Sequence, residues 1–278
     1  MSPRIFCIPA LDAPIIAVIR RGPSKWSHLG KWDLGRHAYK PGGWIKANLY
    51  PQRCDLSPDG RWFCYFTLKT SAKWKAGSTY VAISRLPWLT ALAAWGTYGT
   101  WTRGLHFVND KRVWHVDEPD AGNVAPCRKR FGIAVTESAT FAVERRRGWV
   151  ESPGTPQREP DDMWDLRRIG VLEMEKPRPR SNAATKLRVY GYFAAFRSGS
   201  PGRSKEICYE IVEGGNIIPL EYAQWADWSA DGQLLIATID GKLQVRDYLG
   251  KGTRIESETD LRPLTPDPSP PPDEAHEW

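Results

Sequence analysis

The sequence predicts an all-β chain built from small antiparallel sheets covered on both faces, and three observations predict it. The stretch Trp225 to Asp247 carries two hairpin turns, Asp231-Gly232 and Asp240-Gly241, because Asp tolerates and Gly favours the positive φ of tight turns between twisted strands. Between those turns Leu234, Ile236 and Thr238 alternate with Leu235, Ala237 and Ile239, so neither side of the strand is clearly polar. An antiparallel strand with two apolar faces needs cover on both, which a radial stack of small sheets supplies and a one-sided sheet does not. The same device occurs earlier. Cys54 to Phe66 overlays Ala226 to Thr238 without a gap, with Asp, Ser, Asp and Gly coinciding, and Trp62, Cys64 and Phe66 oppose Phe63 and Tyr65 across the strand.

Ser57-Pro58-Asp59-Gly60 followed by an apolar strand resembles the repeat of the TolB-type and WD40-like β-propellers. The later copy is closer to a WD40 blade, with Arg246-Asp247 standing where that family ends its third strand in Trp-Asp, although the Gly-His element of full repeats is absent. The resemblance implies a single β-propeller over 1–262, made mostly of four-stranded antiparallel sheets. A repeat of roughly 40 to 50 residues gives about five blades, with six as the alternative. Unpaired end strands would leave exposed edges, so closure is expected to mix strands from both termini in one sheet.

Taken in order, Arg4 to Pro9, Ile15 to Arg20 and Trp26 to Leu34 read as strands of a first sheet closed by Trp44 to Tyr50, with Pro41-Gly42-Gly43 punctuating the run. The Ser-Pro-Asp-Gly hairpin opens a second sheet whose outer strands are Thr79 to Ser84 and Leu89 to Trp95; a short helix starting at Pro87 is the alternative for the latter. Leu105 to Val116 reads as a hairpin turning at Asn109-Asp110, completed by Phe131 to Val135 and Thr140 to Arg145. Glu151 to Asp162 and Lys176 to Asn182 read as irregular, and Met163 to Glu175 as strands or one helix. Lys186 to Phe196 and Lys205 to Glu213 form a hairpin through the loop Arg197 to Ser204. Beyond Leu261, six prolines between Pro263 and Pro272 make 263–278 a disordered, polyproline-prone tail of a kind seen on bacterial reading frames, and Pro263-Leu264-Thr265-Pro266 fits P-x-x-P.

A chain of 278 residues can bury a sizeable core as one β domain, with two ordinary domains as the alternative. Its 14 Trp against 8 Phe suit the wedge between neighbouring sheets. Ala13 to Ile19 is too short to span a bilayer, which takes about 20 apolar residues, and reads as a strand. No transmembrane segment is expected, and the chain reads as cytoplasmic. The five cysteines are odd in number and lack C-x-x-C spacing, which fits a reduced thiol set; a three-residue turn at Pro58-Asp59-Gly60 would set Cys54 opposite Cys64. Met1 to His115 holds 17 Lys and Arg against 5 Asp and Glu, net +12, while Val116 to Trp278 holds 22 against 27, net −5. Concentrated positive charge attracts nucleic acid, an acidic protein or an anionic surface, yet no nucleic-acid motif accompanies it.

Phosphate loops of the G-x-x-x-x-G-K-[ST] and G-x-G-x-x-G types are absent, as is H-E-x-x-H, so no cofactor and no metal is expected. His106 and His115, on opposite arms of one hairpin, could make half a metal site, without a carboxylate or thiol ligand assigned beside them. Gly199-Ser200-Pro201-Gly202 fails the spacing of a nucleophile elbow. Cys127 precedes Arg128-Lys129-Arg130, and neighbouring cations raise a thiol's reactivity, but no histidine base lies near it in sequence. Arg145-Arg146-Arg147 with Trp149, and Arg128-Lys129-Arg130 before Phe131, could clamp phosphates and stack bases, or protect a sheet edge.

The reading that follows is a non-enzymatic interaction platform, a subunit or scaffold in a bacterial multi-protein system. It would contact another protein through Trp74, Trp101, Arg145, Arg146, Arg147, Arg178 and Arg180, because Trp and Arg anchor interfaces. Two alternatives stand beside it. The resemblance extends to five-bladed carbohydrate-active enzymes, in which Asp55 and Asp227, at matching repeat positions, would act as inner-strand carboxylates. A nucleic-acid-binding propeller would instead use the basic N-terminal half.

Overall fold

Two serines close the two repeats. The Ser57 hydroxyl accepts the N–H groups of Arg61 (3.2 Å) and Trp62 (2.9 Å) and donates to Asp59 Oδ1 (2.6 Å), while the Ser229 hydroxyl accepts Gln233 N–H at 3.0 Å. Each turn then needs a left-handed residue, supplied by Gly60 at φ +73° and Gly232 at φ +80°. The computed structural model describes residues 3–68, 78–97, 99, 104–115, 122–135, 142–152, 172–181, 184–193, 205–267 and 269–278. Within it the strand after the first turn, Trp62–Leu68, is buried at every position but the last, and Leu234–Thr238 at every position. Both faces are covered, as the two-sided apolar pattern requires.

The fold is all-β, with five sheets and two short α-helices among the described residues. It divides into two compact units, 1–138 with 262–278, and 139–261. The first unit opens with β1 (Arg4–Pro9), β2 (Ile15–Arg21), β3 (Ser27–Asp33) and β4 (Ala38–Ile45), an antiparallel meander in chain order. β5 (Asn48–Leu49) and β6 (Asp55–Leu56) both pair with β7 (Trp62–Leu68), which continues through β8 (Thr79–Arg85) to β9 (Ala93–Gly96). β10 (Leu105–Asn109) and β11 (Arg112–His115) form a hairpin, β12 (Gly122–Asn123) returns to the edge of β9, and α1 (Ala125–Arg130) leads into β13 (Gly132–Val135) beside β11.

The second unit holds α2 (Ala142–Arg146) and two antiparallel sheets. One runs in chain order through β14 (Val150–Glu151), β15 (Leu172–Pro177), β16 (Thr185–Phe193), β17 (Lys205–Glu213) and β18 (Asn216–Pro219). The other runs through β19 (Ala223–Trp228), β20 (Leu234–Thr238), β21 (Lys242–Tyr248) and β22 (Thr253–Asp260). Two of the five sheets, β1 to β4 and β19 to β22, are four-stranded antiparallel meanders, the form of a propeller blade. Trp62, Cys64 and Phe66 from β7 share a core with Val81, Ile83, Trp95, Phe107 and Phe131; Leu234 and Ile236 from β20 share another with Met174, Leu187, Ile211 and Trp228.

Several expectations are corrected. The first sheet is closed by Ala38–Ile45, not by Trp44 to Tyr50, and Pro41-Gly42-Gly43 lies inside that strand. Gly42 is required there because a Cβ would lie 2.0 Å from the Pro87 carbonyl oxygen. Thr140 to Arg145 was expected as a strand, but Ala142–Arg146 is helical, in keeping with its Ala, Glu and Arg content. β13 joins its hairpin in parallel, because α1 carries the chain across before it returns. Asp55, rather than Cys54, opposes Cys64, since the first turn leaves four residues between paired Ser57 and Trp62. The third hairpin turns at Asp110-Lys111, with Asn109 opposite Arg112. Lys176 and Pro177, expected to be irregular, end β15. Among the described residues no sheet mixes the two termini: β1 to β4 and β19 to β22 each complete a four-stranded sheet from contiguous sequence. Residues 273–278, in the segment expected to be disordered, pack against the first unit. Among the described residues no helix is long and apolar enough to cross a membrane.

Candidate functional site

Register sets up a basic and aromatic groove on the first unit. Trp62 opens β7 opposite Arg85, the last residue of β8, so both stand at one end of the sheet. The Trp62 indole is buried and meets Phe131 edge-on at 6.3 Å, and the Arg130 guanidinium lies 5.6 Å from each ring. Phe131 is held there because α1 ends at it, its N–H donating to the Cys127 carbonyl at 2.7 Å, and because its ring packs on Phe107 at 5.6 Å. From β4, the Lys40 ammonium approaches the Trp88 ring to 5.3 Å.

Residues 273–278 occupy this groove. Asp273–His276 forms a 3₁₀ turn in which Ala275 is completely buried. The Glu274 carboxylate accepts from Lys40 Nζ at 3.0 Å, its carbonyl accepts from Arg85 at 3.1 Å, and Glu277 lies 3.6 Å from the same guanidinium. Trp278 then tilts over Trp62 at 5.5 Å and meets Phe131 edge-on at 5.8 Å, retaining 39% exposure. The hydrogen bond and charge of Lys40, outweighing the opposing effect of burial, hold the Glu274 carboxyl below its ordinary range, with Arg85 adding to them. Both partners of the Lys40–Glu274 pair are about half exposed, so that pair contributes at most ~1 kcal/mol. The larger share comes from Trp278: covering roughly 100 Å² of apolar ring is worth about 2.5 kcal/mol.

Of the residues singled out from sequence, Arg130 and Phe131 line this groove, and the others lie elsewhere. Asp55 is buried, its carboxylate accepting the N–H of Leu56 and, across to β10, that of Phe107, both at 2.9 Å. Asp227 repeats the local bond with Trp228 N–H (2.7 Å) and reaches across to Lys176 Nζ on β15 at 2.6 Å. Each carboxylate therefore links two neighbouring sheets. Arg145 pairs with Glu151, Arg147 is buried and donates to the Val143 carbonyl, and Arg146 follows Arg145 on α2. Arg178 donates to the Gly232 carbonyl at 2.8 Å and lies over Trp228 and Tyr248, while Arg180 pairs with Asp231; both thus brace the second Asp-Gly turn. Trp74 and Trp101 lie outside the described residues. His106 pairs in register with Trp114 rather than His115. The Cys127 thiol is pushed up to about 12 by burial, which outweighs the opposing pull of Arg128. Sequence reasoning missed Lys40, Arg85, Trp88, Glu274 and Trp278. The available signal was charge: the acidic Asp273-Glu274 and Glu277 beside Trp278 complement the net +12 of Met1 to His115.

No protein-family model matches the chain, and no curated protein matches it. Among solved structures it is similar to an uncharacterized protein, lmo1340, from Listeria monocytogenes, at 10% identity and a TM-score of 0.26, covering 91% of this chain and 53% of that one. It is also similar to Sqt1 of Saccharomyces cerevisiae, at 11% identity and a TM-score of 0.27, covering 92% and 62% respectively. The chain thus spans about half to three fifths of the structures it matches. The blade-like reading rests on the strand pairing described above.

Proposed function

We propose that the protein is a non-enzymatic interaction platform whose partner surface is the groove marked by Lys40, Arg85, Arg130, Trp62, Trp88 and Phe131. One observation carries the reading: a short segment of chain, 273–278, is already seated there through ion pairs, a buried small side chain and ring contacts. Arg and Trp are the side chains on which interface energy concentrates, and the groove combines them at a sheet end. The Asp55 and Asp227 contacts support a bracing role, which weighs against the carbohydrate-active alternative.

The test is affinity purification from the native host with mass spectrometry, run in parallel on the intact chain and on Arg85→Glu. A partner recovered with the intact chain and lost with the variant is expected; partners that ignore the substitution refute this surface. The exposed run Arg128-Lys129-Arg130 favours one second reading, nucleic-acid binding. Fluorescence anisotropy at low salt that detects no DNA or RNA binding removes it.

A further inference from the structure

Building on the platform reading, we infer that the groove's ligand is an acidic linear peptide carrying a small residue and an aromatic residue three positions apart, and that residues 273–278 occupy the site in cis as its competitor. The 3₁₀ turn spans Asp273–His276, and Glu277 leaves it in extended backbone. Ala275, inside the turn, is fully covered, and the extended step through Glu277 sets Trp278 against Trp62 and Phe131. Because Ala275 is fully covered, a larger side chain at the first position would have to displace what covers it. The residues preceding each, Glu274 and Glu277, meet Lys40 and Arg85, so the recognised pattern is acidic-small-x-acidic-aromatic.

The segment is tethered in a way that suits competition. Residues 262–278 belong to the same compact unit as the groove, so the segment is held beside it in cis. A short tether places a ligand at an effective concentration of about millimolar, so even a weak site is mostly filled in cis. The ion pairs that hold it are exposed, which leaves the segment displaceable by a stronger acidic peptide.

The experiment is fluorescence anisotropy with a fluorescein-labelled peptide reproducing residues 267–278, titrated with three full-length proteins. These are the intact chain, a tail variant (Glu274→Gln, Glu277→Gln, Trp278→Ala), and the same variant with Arg85→Glu added, each checked for native circular dichroism. The tail variant should bind the peptide about tenfold or more tighter than the intact chain, because a site filled in cis lowers apparent affinity by its unoccupied fraction. Adding Arg85→Glu should weaken that binding at least tenfold, and a peptide lacking the tryptophan should compete poorly. A natively folded tail variant that binds no tighter than the intact chain, or that ignores Arg85→Glu, overturns the inference. If the tail variant loses native structure, Trp278→Ala alone serves as the released form with the same expected and overturning results. Peptide-independent dimerisation through 273–278, seen by sedimentation, would assign the groove to a second copy and also overturn it. Should the peptide fail while a host partner is still lost on Arg85→Glu, the platform reading stands and the peptide class falls.

Discussion

Acid should destabilise this protein through His28. The side chain is buried near the start of β3, with Arg20 opposite it on β2 and Trp44 opposite it on β4. Gly42 N–H donates to Nε2 at 3.2 Å, Trp44 lies 4.5 Å from the ring, and the Tyr39 hydroxyl is 3.4 Å from Nδ1. The lone pair on Nε2 must stay free to accept from Gly42, so a proton there breaks that bond. Burial, and then the Arg20 charge, depress the imidazole from 6.5 to about 3.

The sign follows from proton uptake. Between about pH 3 and 6.5 the unfolded chain binds a proton at His28 that the folded chain does not. Stability contributed by the neutral ring is therefore complete above the unfolded value and is lost as pH falls towards the folded one. The slope is about 1.4 kcal/mol per pH unit, so roughly 2 kcal/mol is lost between pH 6 and 4.5. His28→Gln keeps an acceptor for Gly42 without titrating. Urea unfolding followed by tryptophan fluorescence at pH 7, 6, 5 and 4.5 should show the parent losing that much more stability than the variant. Parallel stability curves for the two proteins would refute the argument.

The other predictions concern packing and pairing. Lys176→Met and Asp227→Asn should each cost about 3–5 kcal/mol by leaving a buried charge without its partner, and the double variant should cost far less than their sum in denaturant unfolding. Asp55→Ala strips the acceptor from two N–H groups, those of Leu56 and Phe107, and should cost roughly 2–5 kcal/mol, with amide exchange at Phe107 accelerated. Gly42→Ala should lower the melting temperature, by an amount corresponding to about 1–3 kcal/mol, because its Cβ would collide with the Pro87 backbone. Cys127 should resist alkylation by iodoacetamide at pH 8 under native conditions and react once urea exposes it, as judged by peptide mass spectrometry.

Short-range physics was legible in the residues. Alternation and turn chemistry locate β1 to its residue limits, the hairpin of β16 and β17, and the strands around both Asp-Gly turns, because a strand's side-chain period and a turn's positive φ are local properties. The double burial of β7 and β20 was equally readable, since apolar residues on both faces need cover. The bracing contacts of Asp55 and Asp227 were half visible: the bond to the next N–H is local, whereas the reach to β10 or β15 is not.

By itself, then, the sequence determined that the chain is a succession of small antiparallel sheets with buried interiors, because hydrophobic periodicity and turn residues act within a few positions. Only the tertiary structure decided that β13 runs parallel to β11, that β4 rather than the following segment closes the first sheet, and that 273–278 lies against Trp62 and Phe131. Each of those outcomes depends on a surface assembled from residues far apart in the chain. The groove exists only once β4, β7, β8 and the end of α1 have been brought together.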